Sequence, residues 1–147
     1  MSVNAYSALS TFLYNNWALS SPTKTQIDWL TLRHDVKNWI APNNTSSNNV
    51  MIGCFSSRSP PKRRISNNAF EVRDTVEVQV YVKNQGSMSA NATLRDTVYN
   101  AVESLILANP NGVLGVNITD PYTDNSIEQP ALAVTFATIL CRYIEGT

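Results

Sequence analysis

The sequence predicts an α+β fold in which an antiparallel or mixed β-sheet with a long hairpin is packed on one face by two amphipathic helices. In Phe70–Val82, valines alternate with mostly charged or polar residues, so the two faces of a strand there would meet different surroundings. In Met88–Ala108 the large apolar residues instead recur at helical spacing: Leu94, Val98, Ala101, Val102, Leu105 and Ile106. A helix of this kind can cover the valine face of the strand, and we expect this unit to form the centre of the fold.

The N-terminal half contains the second predicted helix and one segment whose secondary structure the sequence leaves undecided. Val3–Trp17 places its apolar residues near one face, and Ser2 can cap its start. It contains no Arg or Lys, which argues against a mitochondrial targeting helix. Ile27–Ile40 fits either a helix or a strand, and its two tryptophans are expected to anchor it to the sheet or to a neighbouring subunit.

Three further segments complete the predicted sheet. Val50–Phe55 is a buried strand, and Val113–Ile118 is a short one. Asp120–Gln129 is predicted to be a polar loop, after which Ala131–Ile144 forms a closing strand that is covered on both faces. For the helix that starts near residue 88, the candidate N-caps are Ser89, Asn91 and Thr93.

The composition is that of one domain spanning residues 1–147. Charged residues make up 15% of the chain, and the formal net charge is zero. A surface of Asn, Ser and Thr with few ions favours association with other proteins, and it provides no overall field toward nucleic acid or membranes. No apolar run approaches the roughly 20 residues of a membrane-spanning helix. Cys54 and Cys141 lie in apolar contexts and are expected to be buried free thiols.

The sequence shows no catalytic or cofactor-binding pattern. His34 is the only histidine, and neither cysteine belongs to a Cys-x-x-Cys pair. Asp120, Asp124 and Glu128 lack the ligand spacing and the glycine of a calcium loop. We therefore expect no enzyme activity, no metal and no cofactor.

One cluster of positive charge stands out. Residues 56–69 are predicted to form a long loop that carries Arg58, Lys62, Arg63 and Arg64, stiffened by two prolines. Such a loop can contact phosphate without sequence specificity, dock on an acidic protein, or be a solvated loop. Aromatic residues do not interleave with these charges, so stacking on bases is weakly supported.

The order of segments resembles the tail terminator proteins of long-tailed phages and related viruses. The resemblance lies in an amphipathic helix that ends at a tryptophan, a hairpin with a long loop, and the stretches RDTVEVQVYV, LRDTVYNAVESLIL and ALAVTFATILCRYI. It implies a homo-oligomeric ring, typically a hexamer, that caps the tail tube and joins it to the head-closure or neck protein around the DNA channel. It also implies a virion protein that is assembled in the host cytoplasm, with the basic loop facing a neighbouring ring or the lumen.

Two other functions stay open at this point. A head-closure or adaptor protein of the same neck would also be oligomeric, but it would not dock on the end of the tube. A small nucleic-acid-binding module would act through the basic loop. None of these functions requires catalytic residues.

Overall fold

The computed structural model describes residues 5–41, 48–56, 62–108, 116–124 and 132–146. In chain order the helices and strands are α1 (Ala5–Asn15), β1 (Ile27–Leu30), α2 (Arg33–Ile40), β2 (Val50–Ser56), β3 (Lys62–Ser66), β4 (Ala69–Val82), α3 (Met88–Leu107), β5 (Val116–Asp124) and β6 (Ala133–Gly146). The predicted α+β class is confirmed. None of the described helices is both long and apolar enough to cross a membrane.

The six strands form one mixed sheet in the order β1-β2-β4-β6-β5, and β3 pairs with the first residues of β4. β4 and β6, of 14 residues each, pair antiparallel over their whole length, from Ala69 opposite Gly146 to Val82 opposite Ala133. β1 is parallel to β2, which makes the sheet mixed. Because side chains alternate along β4, its valines lie on one face of the sheet and most of its charged and polar residues on the other.

One face is covered by α1 and α3, as predicted. Val76, Val78, Val80 and Val82 of β4 are completely buried there, beside Val98, Val102 and Ile106 of α3 and Ala5, Leu9 and Leu13 of α1. Burying a side chain of this size contributes about 1.5–3 kcal/mol. The valine row of β4 is thus the floor of the main core, and we call this side of the sheet the helix-covered face.

The other face is only partly covered. Near one end, Trp39 of α2 packs with Met51, Tyr81 and Val134, and its ring lies edge-on to that of Tyr81 at a centroid distance of 6.0 Å. The Lys83 ammonium lies 4.0 Å from the centre of the Trp39 ring and donates to the Trp39 carbonyl over 2.9 Å. Toward the other end, β4 presents Glu71, Arg73, Thr75 and Glu77 on this side. We call it the open face.

Residues 27–40, whose secondary structure the sequence left undecided, contain both a strand and a helix. The first residues form β1 and the last form α2, so each tryptophan reaches a different face of the sheet. Trp29 lies edge-on to Tyr14 and Trp17 beside the main core, whereas Trp39 belongs to the open-face cluster. Both tryptophans therefore anchor the segment to the sheet, Trp29 on the helix-covered face and Trp39 on the opposite face.

Three local predictions were wrong. Residues 62–66 of the predicted loop 56–69 form strand β3, since β4 extends beyond the end of β2 and offers a free edge to pair with. The predicted loop Asp120–Gln129 begins in strand, because β5 pairs with β6 as far as Asp124 through a register shift. The N-cap of α3 is Ser87, whose Oγ accepts from the Ala90 N–H over 3.1 Å. Arg58, Glu128 and Ser2 lie outside the described residues.

The turn before α3 explains why that helix begins early. Gly86 has a φ of 98°, a conformation that glycine adopts without steric cost. Asn91, one of the predicted caps, instead lies inside the helix and accepts from the Gln85 N–H over 2.9 Å. The Asn91 side chain therefore ties the turn to the helix, and Ser87 is left in the extended conformation that an N-cap requires.

Candidate interaction surface at the basic end of the sheet

The basic residues that the sequence singled out lie on a two-stranded ribbon. β3 pairs with the start of β4, with Arg63 opposite Glu71 and Arg64 opposite Phe70. The two strands are joined through a turn at residues 67–68, where the Asn67 carbonyl accepts from an Arg64 Nη1–H over 3.3 Å. We call β3 together with residues 69–73 of β4 the basic ribbon.

The structure separates the predicted basic cluster. Because successive residues of a strand point to opposite faces, Arg63 and Arg64 cannot act from the same side. The Arg63 guanidinium lies 3.7 Å from a Glu71 carboxylate oxygen, on the open face. The Arg64 guanidinium lies 4.9 Å from the centre of the Phe70 ring, on the other face. Lys62 is in β3, but its side chain lies outside the described part, as does the whole of Arg58.

A basic residue that the sequence reasoning did not single out joins Arg63. Arg73 donates from Nε to the Glu71 carboxylate over 3.0 Å, so one carboxylate contacts two guanidinium groups. The Arg63 side chain is 71% exposed and that of Arg73 is 54% exposed. Exposed ion pairs contribute about 0–1 kcal/mol, so these contacts add little to the stability of the ribbon. The i, i+2 spacing in a strand was the signal that could have placed Arg73 beside Glu71.

Further along the open face, a second ion pair joins α2 to the sheet. Arg33 Nη1 lies 3.4 Å from a Glu77 oxygen, and the guanidinium lies 5.3 Å from the centre of the Phe55 ring. The ring of Phe55 folds back over Gly53, where a Cβ would overlap it. Gly53 thus makes room for the aromatic surface on which Arg33 rests.

A hollow of about 500 Å³ lies between β1 and α2. One of the two acidic residues that line it, Asp28, accepts from Trp39 Nε1 over 2.9 Å and from the Asn48 N–H over 2.8 Å. These bonds hold α2 against the sheet. We therefore assign the Asp28 carboxylate to the packing of this corner of the fold.

The titratable groups of the interior do not form a nucleophilic pair. Cys54 and Cys141 are buried free thiols, as predicted, and desolvation raises the pKa of each to about 12, which leaves them protonated and inert. His34 is exposed and its Nε2 lies 3.1 Å from an Asp35 oxygen, on a helix at the surface. Among the described side chains, no group of three His, Cys, Asp or Glu residues could hold a metal ion.

Asp74 is the one acidic residue of β4 on the helix-covered face. It is 4% exposed, between the fully buried Val72 and Val76 and opposite Cys141. Within the described part of the chain its Oδ1 has no hydrogen-bond partner, and desolvation raises the pKa of the carboxyl. The sequence pattern placed Asp74 in the valine row, and the structure confirms that position.

No protein-family model matches the sequence, and the comparison with curated proteins gives no match. The features that bear on function are therefore the fold, the exposed charges of the basic ribbon and the segment pattern of the sequence.

Proposed function

We propose that the chain is a structural subunit of a viral tail or neck, one that forms a homo-oligomeric ring of the tail terminator type. In this role it caps the tail tube, meets the head-closure or neck protein on its other side, and encloses the channel through which DNA passes. It acts by assembly and needs neither a catalytic residue nor a cofactor.

The observation that carries the proposal is the form of the sheet. α1 and α3 cover one face, and α2 covers only one end of the other, so that β4 leaves a row of charged residues half-exposed on the open face. The same segment order produced the resemblance: a first helix, a long β4, the helix α3 and a long closing β6. Low total charge with an Asn, Ser and Thr surface also suits a protein whose surfaces are covered by neighbouring subunits.

The test is the assembly state of the purified full chain. We expect static light scattering to give one multiple of the 16.3 kDa subunit mass at micromolar concentrations, and negative-stain micrographs to show closed rings. Mixed with tail tubes of the virus that encodes the chain, the rings should bind at one end of the tube. A strictly monomeric protein at every concentration, with tubes left bare, would contradict the proposal.

The exposed arginines of the basic ribbon favour a second candidate, a small nucleic-acid-binding module. In that case reversing the charge of Arg63 and Arg64 to Glu should abolish DNA binding in a gel-shift assay. The matched control reverses Lys24 and Lys37, which lie far from the ribbon in the sequence and carry the same total charge. DNA binding by a monomer that the ribbon reversal destroys and the control leaves intact would favour the module over the ring.

A further inference from the structure

Two arginines that are nearly half the chain apart lie directly opposite each other in the sheet. In the register of β4 with β6, Arg73 is the partner of Arg142. Partners in an antiparallel pair share a sheet face, with Cβ atoms about 4.5–5.5 Å apart. Arg142 therefore occupies a position on the open face beside Arg73. No pattern in the sequence indicated that these two residues are neighbours.

Arg63 extends the same row across a third strand. It pairs in register with Glu71, two residues from Arg73, and both guanidinium groups contact the Glu71 carboxylate. Glu145, the acidic residue nearest to Arg142 in β6, pairs with Phe70 and so occupies a position on the other face. The positions of Arg63, Arg73 and Arg142 form what we call the arginine row, and Glu71 is the acidic residue among them on this face.

Opposed like charges of this kind need a reason. Two cations directly opposite each other on neighbouring strands destabilise a sheet. Among the described side chains, the one Glu71 carboxylate is shared by Arg63 and Arg73. A bound anion removes that cost. The planar guanidinium fork binds phosphate oxygens in pairs, which a lysine ammonium cannot do, so a row of arginines on a flat surface suits phosphate groups.

We propose that the arginine row is a phosphate-binding surface that contacts the nucleic acid backbone without reading its sequence. The assignment deepens the proposed function, on which it rests, by naming the residues that meet the DNA. Strands are spaced by about 4.8 Å, so three strands spread the row over a wider area than a single phosphate. The ring of Phe70 lies on the other face with Arg64, so the surface is suited to the backbone rather than to stacked bases.

The experiment measures binding of a fluorescein-labelled 20-base-pair duplex by anisotropy between 20 and 200 mM NaCl, with the full chain. We expect Arg73→Gln and Arg142→Gln each to weaken binding roughly three- to tenfold at low salt and to lower the salt slope by about 0.9, the value for one lost phosphate contact. The matched control is Arg64→Gln, which removes the same charge from the opposite face of the ribbon and should change affinity less than twofold.

Arg73→Lys keeps the charge but loses the fork. It should leave the salt slope unchanged while affinity falls by a smaller factor, and it guards against a glutamine variant that fails to fold, which urea denaturation of each variant would reveal.

Equal weakening by Arg64→Gln and Arg73→Gln would overturn the proposal, because binding would then follow total charge. So would binding to a poly-glutamate peptide with no binding to the duplex, which would identify an acidic protein as the partner. Light scattering on the same samples separates this result from the proposed function. Rings that do not bind DNA would refute only the proposal for the arginine row. Monomers whose DNA binding depends on the row would refute only the proposed ring.

Discussion

Replacing Asp74 by valine should stabilise the protein at neutral pH. The carboxyl group is 4% exposed in a row of buried valines, and among the described residues its Oδ1 has no partner. Val has one side-chain heavy atom fewer than Asp and branches at Cβ, as Val72 and Val76 do, so the substitution continues the valine row with little change in side-chain size. It removes a polar group whose burial without a full set of hydrogen bonds costs about 1–3 kcal/mol.

The stabilisation should grow with pH, and the direction follows from the pKa of Asp74. Burial raises that pKa in the folded state above the value of about 3.9 in the unfolded chain. The folded protein therefore holds the proton more tightly than the unfolded chain. The resulting stability is complete below pH about 3.9 and is lost as pH rises through the folded pKa. Within that window the wild type should lose about 1.36 kcal/mol per pH unit relative to the valine variant.

Urea denaturation between pH 4 and 8, followed by tryptophan fluorescence, measures both effects. The difference between wild type and Asp74→Val cancels the titration of all other groups, because the two proteins share them. Asp74→Asn is the matched control: it removes the charge but keeps a polar group, so we expect its difference from the valine variant to be independent of pH. A wild type that gains stability relative to Asp74→Val as pH rises would refute the reasoning, since it would place a favourable partner beside the ionised carboxylate.

Two further predictions concern the sheet and the start of α3. Gly53→Ala should destabilise the fold by about 1–3 kcal/mol in urea denaturation, because its Cβ would overlap the buried ring of Phe55; the loss should shrink in a Phe55→Leu background, and an equal loss there would contradict the ring as its cause. Ser87→Ala should cost about 0.5–2 kcal/mol through loss of the bond to the Ala90 N–H, whereas Ser89→Ala, two residues on, should cost little. Equal effects at the two serines would contradict Ser87 as the N-cap.

The parts of the fold that the sequence predicted are those in which one period runs through many residues. The alternation in β4 and the helical spacing in α3 each persist over several turns or pleats, so burial on one side leaves an unambiguous pattern. β3 is the opposite case. Its residues KRRIS carry no apolar alternation, because the described side chains of β3, residues 63–66, are exposed on both faces and pairing with the free edge of β4 forms the strand. The change from β1 to α2 within residues 27–40 was equally hidden, since each element is too short to show its own period.

The candidate site was predicted only in part, for a reason that lies in strand geometry. A basic cluster in sequence suggests a basic patch in space, but adjacent strand residues face opposite ways, and so Arg63 and Arg64 are separated. Register works in the other direction and brings Arg73 to the position opposite Arg142. At this end of the sheet, residues that are adjacent in the sequence lie on opposite faces, and residues far apart in the sequence are neighbours.

The same alternation decides both the stability of this protein and the surface that it offers to partners. β4 has a single period of two, so a residue that moved by one position would exchange the core for the open face. Asp74 and Arg73 are neighbours, yet one titrates inside the valine row and the other donates to Glu71 in solvent. A one-residue insertion in β4 before Arg73 would place the valines on the open face and the arginine in the core. A shift in the register of this strand would therefore disrupt both the core and the arginine row. The register of β4 with β6 is therefore the physical constraint that keeps the arginine row in place beside an intact core.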